Sequence, residues 1–347
     1  MKNPPNWQTS FRNLPEIPEH KRWNGKSNMT LEQIIAFKLL HKQPITKNEE
    51  EIFTDLATFY SELNDKLINL DYSLFNPSDF DNFKNYIFYA FNYTALISNK
   101  LTILQTYRLV VNEWVCGKNE RIRNIDFIKY PSLDIVKKAN KLNRANTLNT
   151  NVFYSAQNID TSLMELRPPL NKLITVGVWK PKSNKEFISY PISHSEEAAK
   201  VNEGVAKAKS AFDDHENFNS ALFLNYTRYY FELFGREFTK RVTNHYEYLI
   251  SALFSESIFE NQGNSNTDVN YDCIIYPSVG NGYKTDNLAM RPTVLDNDFY
   301  LEKVIEFEVE HEFYDKPYVL THPENITLAK IKNVYITNKF DKGEIIW

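Results

Sequence analysis

The sequence predicts a mixed α/β (α+β) fold preceded by a helical N-terminal region, on three observations. Two capping-box patterns, Thr30-Leu31-Glu32-Gln33 and Thr46-Lys47-Asn48-Glu49, each open an apolar series at helical spacing. From about residue 115 the texture changes to short β-type runs separated by helix-like segments. The 347 residues, 42% apolar and 24% charged, are enough for about two domains that each bury a core without disulfides or structural metals.

Residues 1–28 carry Pro4, Pro5, Pro15 and Pro18 among polar residues, the composition of an irregular arm. Helices are expected at 30–42 and 47–70. The second carries Ile52, Leu56, Phe59, Leu63, Leu67 and Leu70, a stripe at three- and four-residue steps that needs a partner surface. The aromatic-rich stretch 80–114 has few breakers and is expected to form one or two further helices, completing a helical accessory domain over 1–115. Strands are expected at 152–154, 173–179, 273–276, 304–309 and 334–337 of a second domain, 116–347. Between them a short helix spans 160–165 with Asp160 as its N-cap, longer helices cover 195–212, 218–238 and 246–259, and a polar loop covers 260–268.

Several function classes are set aside at this stage. With 40 Lys+Arg against 44 Asp+Glu the net charge is −4, so no basic excess is available to coat nucleic acid. No run of 18 uncharged apolar residues occurs, and the N-terminus has no apolar leader, so a soluble cytoplasmic chain is expected, without membrane or direct nucleic-acid contact. Cys116 and Cys273 are isolated and fit neither a zinc site nor a disulfide framework. Among nine glycines, Gly280-Asn281-Gly282 is a lone G-x-G, and neither a Rossmann nor a P-loop sequence exists. H-E-x-x-H and G-x-S-x-G are also absent, and no metal is expected. Five of the arginines (Arg108, Arg121, Arg123, Arg144, Arg167) fall in one 60-residue window. In a chain that otherwise favours Lys, that clustering suits planar recognition of phosphate or carboxylate.

What remains is an ordered series: Arg121-Ile122-Arg123, Asn143-Arg144-Ala145-Asn146, Val152-Phe153-Tyr154, Met164-Glu165-Leu166-Arg167-Pro168, a run from Asp272 through Tyr276-Pro277-Ser278, and Thr285-Asp286-Asn287. Arg144 stands ten residues before Tyr154 and Tyr154 eleven before Glu165. This series resembles the RES domain family over about 120–310, with a long insertion near 185–240. The resemblance implies a core like that of ADP-ribosyltransferase toxins, and an activity that destroys NAD+ at its nicotinamide–ribose bond. The acceptor would be phosphate (an NAD+ phosphorylase) or water (a glycohydrolase). It also implies a toxin or defence effector held by an antitoxin protein. NAD+ is then substrate, inorganic phosphate its co-substrate, and no further cofactor is implied. A homo-oligomer is compatible with this reading.

Breaking that bond passes through an oxocarbenium-like ribose, so the site must hold a diphosphate still and stabilise positive charge on the sugar. Arg121, Arg123 and Arg144 are the candidates for the first task, through forked charge-assisted hydrogen bonds. On a strand Arg121 and Arg123 share a face, and either can be the ligand. Glu165 is the candidate for the second task. Tyr154 would stack on nicotinamide or position the ribose, Ser278 would hydrogen-bond substrate at a strand end, and Asn146 and Asn287 would fix loops or ligand. Two other readings use the same residues: an ADP-ribosyltransferase that passes the ribose to a macromolecule, and a non-enzymatic interaction module built on the RES-like scaffold.

Overall fold

A computed structural model describes residues 14–21, 30–91, 98–193, 195–213, 221–260, 270–312 and 329–347. Most of the expected N-terminal arm and nearly all of the polar loop at 260–268 lie outside the described residues.

Helices α1 (Leu31–Leu40) and α2 (Lys47–Ile68) start at the two capping boxes. Thr30 Oγ1 accepts from Gln33 N at 3.2 Å while the Gln33 side chain accepts from Thr30 N at 2.8 Å. Thr46 and Glu49 repeat the arrangement. The α2 stripe is buried as its spacing requires, with Phe53 and Tyr60 widening it. Helix α3 (Phe80–Ala90) follows.

The next residues depart from the expectation. Within 80–114, expected to be helical, Asn99–Thr102 forms strand β1 and Thr106–Val111 forms strand β2, before a short helix α4 (Asn112–Cys116). The sequence Thr106-Tyr107-Arg108-Leu109-Val110-Val111 is β-branched and aromatic, but both of its faces are covered, so it lacks the polar alternation that betrays a half-exposed strand. The helical region therefore ends near residue 91. The boundary expected near 115 falls after β2, a strand in the interior of the sheet.

Strands β3 (Phe153–Ala156), β4 (Leu173–Pro181), β5 (Glu186–Pro191), β6 (Cys273–Pro277), β7 (Asp286–Met290), β8 (Phe299–Glu312) and β9 (Ala329–Thr337) complete a nine-stranded sheet. Its order is β1-β5-β6-β7-β3-β2-β4-β8-β9. All neighbours are antiparallel except β5 and β6. A two-stranded ribbon, β10 (Lys339–Asp341) with β11 (Glu344–Ile346), lies at the C-terminus. The remaining helices are α5 (Leu133–Ala139), α6 (Ile159–Leu166), α7 (Glu196–Ala199), α8 (Glu203–Asp213), α9 (Ala221–Thr239), α10 (Leu249–Glu260) and α11 (Pro292–Asp298). The molecule is thus a mixed α+β protein with eleven α-helices among the described residues. The stretch 185–240 supplies β5 within the sheet and α9 against it, so it is built into the core.

Alternation along the strands sorts the core onto two faces. Phe153 of β3, Leu288 and Met290 of β7 and Val110 of β2 face one side, with Phe187 and Val294. The other face carries two separate clusters. Leu109 and Val111 join Ile174, Val176 and Val178 of β4 under Leu163 of α6. Ile274, Tyr276 and Ala289 join the N-terminal helices through α9 and α10. Aromatic rings carry that second cluster inward. Phe53 meets Phe223 at 6.3 Å, Tyr60 meets Tyr230 at 4.6 Å, Phe91 meets Phe234 at 5.4 Å, Phe234 stacks on Phe254 at 3.6 Å, and Phe238 reaches Tyr276 at 5.5 Å. No helix among the described residues is long and apolar enough to cross a membrane.

Phe53 is fully buried between α2 and α9. Phe53→Ala is expected to lower unfolding stability by about 3–5 kcal/mol, the cost of a ring-sized cavity, read from the urea midpoint at constant slope. A loss below about 1 kcal/mol would mean that the N-terminal helices do not share the core of the sheet.

Candidate active site

Strand β2 pairs with β4 along six residues, from Thr106↔Trp179 to Val111↔Ile174, but with β3 at one position only, Tyr107↔Ala156. Beyond that pair the two strands part, and a cavity of about 420 Å3 lies along the split, within the size range of small-ligand sites. Residues 107–111 of β2 and Trp114 line it on one side, and Arg144, Tyr154, Tyr248 and Tyr276 elsewhere on its wall. Glu165, from the last turn of α6, and Asn287 also line it.

Glu165 is fixed through a single oxygen. Its Oε1 accepts from Ser278 Oγ, from Gly280 N at 2.9 Å and from Asn287 Nδ2 at 2.9 Å, whereas Oε2 accepts no hydrogen bond from any described residue. Ser278 and Asn287 stand where the ends of β6 and β7 meet: Asn287 pairs with Tyr276 on one side and Ala156 on the other. Helix α6 stops just after Glu165 because Arg167 takes the left-handed conformation, φ 44°. The loop from Ser278 to Thr285 is held by Tyr283 N donating to Ser278 O at 2.7 Å and by Asn281 Nδ2 donating to the hydroxyls of Thr161 and Thr285. Gly280 packs directly on the helix end: a Cβ there would stand 2.6 Å from Met164 O and 2.8 Å from Glu165 Cα, so no side chain fits.

Arg144 is buried against α9 and belongs to both the cavity wall and the helix end. Its guanidinium donates to Phe238 O and Lys240 O, the carbonyls that a helix C-terminus leaves without partners, and lies over the Tyr248 ring at 5.0 Å. The fork expected to grip a ligand is thus partly spent on backbone, though its charge remains beside the cavity. Tyr154 likewise spends its hydroxyl internally, donating to Asn146 Oδ1 at 2.9 Å and accepting from Ala145 N at 2.7 Å; its ring is what faces the cavity. Asn146 is buried outside the cavity lining, and its amide is used by Tyr154, Asn143 and Thr147 O, so it shapes the 143–146 turn. Burial holds the Tyr154, Tyr248 and Tyr276 hydroxyls above the usual phenol range, so they stay neutral.

The structure does not bring Arg121 or Arg123, expected to hold a diphosphate, to the lining of this cavity. Residues 121–123 are not on a strand. Arg121 Nε donates to Glu306 Oε1 at 2.8 Å, and its guanidinium lies 4.3 Å from the ring of Tyr335 and 4.6 Å from that of Trp347. Glu306 is almost wholly buried and needs that cation. Arg123 is exposed, and its carbonyl accepts from Ile345 N. Ser278 does not line the cavity either; its hydroxyl donates to Glu165 Oε1.

Arg108 is a cavity-lining side chain that the motif series passed over. It starts from the opposite face of the sheet, lies 5.7 Å from the Phe153 ring, and enters the split between β2 and β3, where NH1 donates to Tyr154 O at 3.0 Å. Its Nε, shut away from solvent, has no hydrogen-bond partner among the described residues, and neither has Ser155 Oγ. Burial pulls the Arg108 pKa down to about 10, so at neutral pH it remains a fixed positive charge in the cavity lining. Its one sequence signal was membership of the arginine cluster.

A carboxylate with one free oxygen, two guanidinium groups and neutral phenols around a cleft can bind a polyanionic ligand and stabilise a cation that develops next to the carboxylate. Among the described residues no group of His, Cys, Asp and Glu is placed to hold a metal ion. No protein-family model, curated protein or solved structure matches the chain.

Gly280→Ala forces a methyl against the Met164–Glu165 peptide and is expected to cost about 1–3 kcal/mol. Thermal unfolding of the variant beside the parent measures this. An unchanged midpoint would mean that the loop and the helix end are not in contact.

Proposed function

We propose that this chain cleaves the nicotinamide–ribose bond of NAD+, in the manner of the RES family that its motif order resembles and in a cleft of the ADP-ribosyltransferase kind. One observation carries the reading: Glu165 is held by three donors on Oε1 while Oε2 stays open, in a cleft that also contains Arg108 and Arg144. The bond that breaks joins the ribose carbon to the pyridinium nitrogen. Its electron pair leaves with neutral nicotinamide, and the ribose takes on oxocarbenium character. Glu165 Oε2 faces that charge and stabilises it without reorganising, because its partner oxygen is already committed. The guanidinium charges hold the diphosphate. The cation is then captured by an oxygen of phosphate or water, which gives up a proton. ADP-ribose passed to a macromolecule would instead mark a transferase.

The cellular reading follows from the chemistry. Loss of NAD+ stops growth, so the chain acts in the cytoplasm as a toxin or defence effector and is kept in check by a cognate antitoxin protein.

Incubating NAD+ with the protein, with and without phosphate, and separating the products tests the activity and its acceptor. Glu165→Gln should lower turnover by roughly 10²-fold or more while the fold is kept, the scale for losing one preorganised charge. A variant within threefold of the parent would remove Glu165 from the chemistry. Arg108→Gln should raise the KM for NAD+ about tenfold, since a charged hydrogen bond is lost from the cleft lining. An unchanged KM would leave Arg108 a purely structural group. NAD+ that stays intact in long incubations of folded protein would overturn the proposal as a whole.

A further inference from the structure

At the end of the cleft away from Glu165 stands an aromatic side chain that the reading above does not use. Trp114 lines the cavity, is 60% exposed, and has no ring contact or hydrogen bond with any described residue. An indole left bare at a cavity wall, on a rigid base, is suited to stacking on a flat ring.

Its base is rigid. Helix α4 is fixed at its first residue, where the buried Asn112 donates to Glu120 O at 2.9 Å and accepts from Thr175 Oγ1 at 2.7 Å. Glu113 pairs with Lys172 at 2.7 Å, and Gly117 closes the turn with φ 77°. The neighbouring Val115 packs on the core of the opposite sheet face. The indole is thus held in place without being covered.

Register fixes its position relative to the carboxylate. Glu165 binds Asn287, which shares a row across the sheet with Ala156 and Tyr107, the closed end of the split. From Tyr107 to Val111 the strand advances about 13 Å at ~3.3 Å per residue, and Trp114 lies one helical turn further on. In a dinucleotide the two rings are separated by two riboses and a diphosphate. With the scissile ribose at Glu165, the ring at the open end is the adenine.

We infer that Trp114 is the adenine-stacking platform of this cleft and the residue that makes it select a dinucleotide over a mononucleotide. The inference rests on the NAD+ reading above. It makes Trp114 a specificity residue, remote from the bond that breaks.

The test compares the parent with Trp114→Ala and Trp114→Phe, all checked for folding by thermal melts, on NAD+ and on nicotinamide mononucleotide, which has the same scissile bond and no adenosine. Trp114→Ala should raise the KM for NAD+ roughly tenfold or more with kcat within about twofold, Trp114→Phe should restore most of the loss, and turnover of the mononucleotide should be equal in all three. AMP, which has the adenine and no scissile bond, gives a second readout by titration calorimetry. Its affinity should fall about tenfold in Trp114→Ala and stay unchanged in Glu165→Gln. AMP that binds parent and Trp114→Ala equally, or binds neither, overturns the inference, as does an equal KM rise for both nucleotides. If NAD+ is never cleaved but AMP binding still depends on Trp114, the cleavage reading fails and the adenine platform stands.

Discussion

The cleft depends on one ladder position, Tyr107 opposite Ala156, where β2 and β3 remain paired before they separate. A sheet that parts leaves backbone groups without partners and opens its interior to solvent, and both costs must be met locally. Arg108 meets part of the first by donating to Tyr154 O across the gap. Because that donor is a cation, the group that repairs the sheet also charges the cleft. Placing it from the opposite face leaves the cavity volume free for a ligand.

The helical layer is joined to the cleft by the C-terminal end of α9. Arg144 takes Phe238 O and Lys240 O from the cavity side, and Tyr283 OH donates to Thr239 O at 3.0 Å from the loop that also holds Glu165. A helix C-terminus carries partial negative charge, so a guanidinium there is stabilised twice, by hydrogen bonds and by the dipole. One helix end therefore sets the positions of both the arginine and the carboxylate loop. Through the ring contacts from Phe238 to Tyr276 and from Phe234 to Phe254, the same helix transmits the packing of α2 and α3 to the cleft wall.

Local chemistry was legible in the sequence wherever short-range rules apply. The capping boxes at Thr30 and Thr46, the α2 stripe and the strands at Phe153, Leu173 and Cys273 each follow from a few neighbouring residues. Of the sheet strands, β1, β2, β5 and β7 were missed because their signal is tertiary: buried on both faces or at an edge, they lack alternation, and β2 hides in a run of aromatics that also suits a helix. The motif series brought Arg144, Tyr154, Glu165 and Asn287 to one cavity, yet it could not say that Tyr154 and Asn146 would be consumed in holding a turn. Arg121 and Arg123 illustrate the opposite failure. Residue type alone does not distinguish an arginine that pairs with the buried Glu306 from one that lines a cleft, because the difference lies in a carboxylate 185 residues away.

The contact of Gly280 with the Met164–Glu165 peptide separates what is fixed from what can vary. The position of the backbone that carries Glu165 is set by main-chain atoms touching main-chain atoms, a mechanical stop that does not pass through any rotamer. Side chains at the exposed Lys284 and the half-buried Val279 can therefore change in size or charge without moving the backbone that carries Glu165. Such a loop can drift at its rim, altering what approaches the cleft, while the helix end beneath it keeps its place.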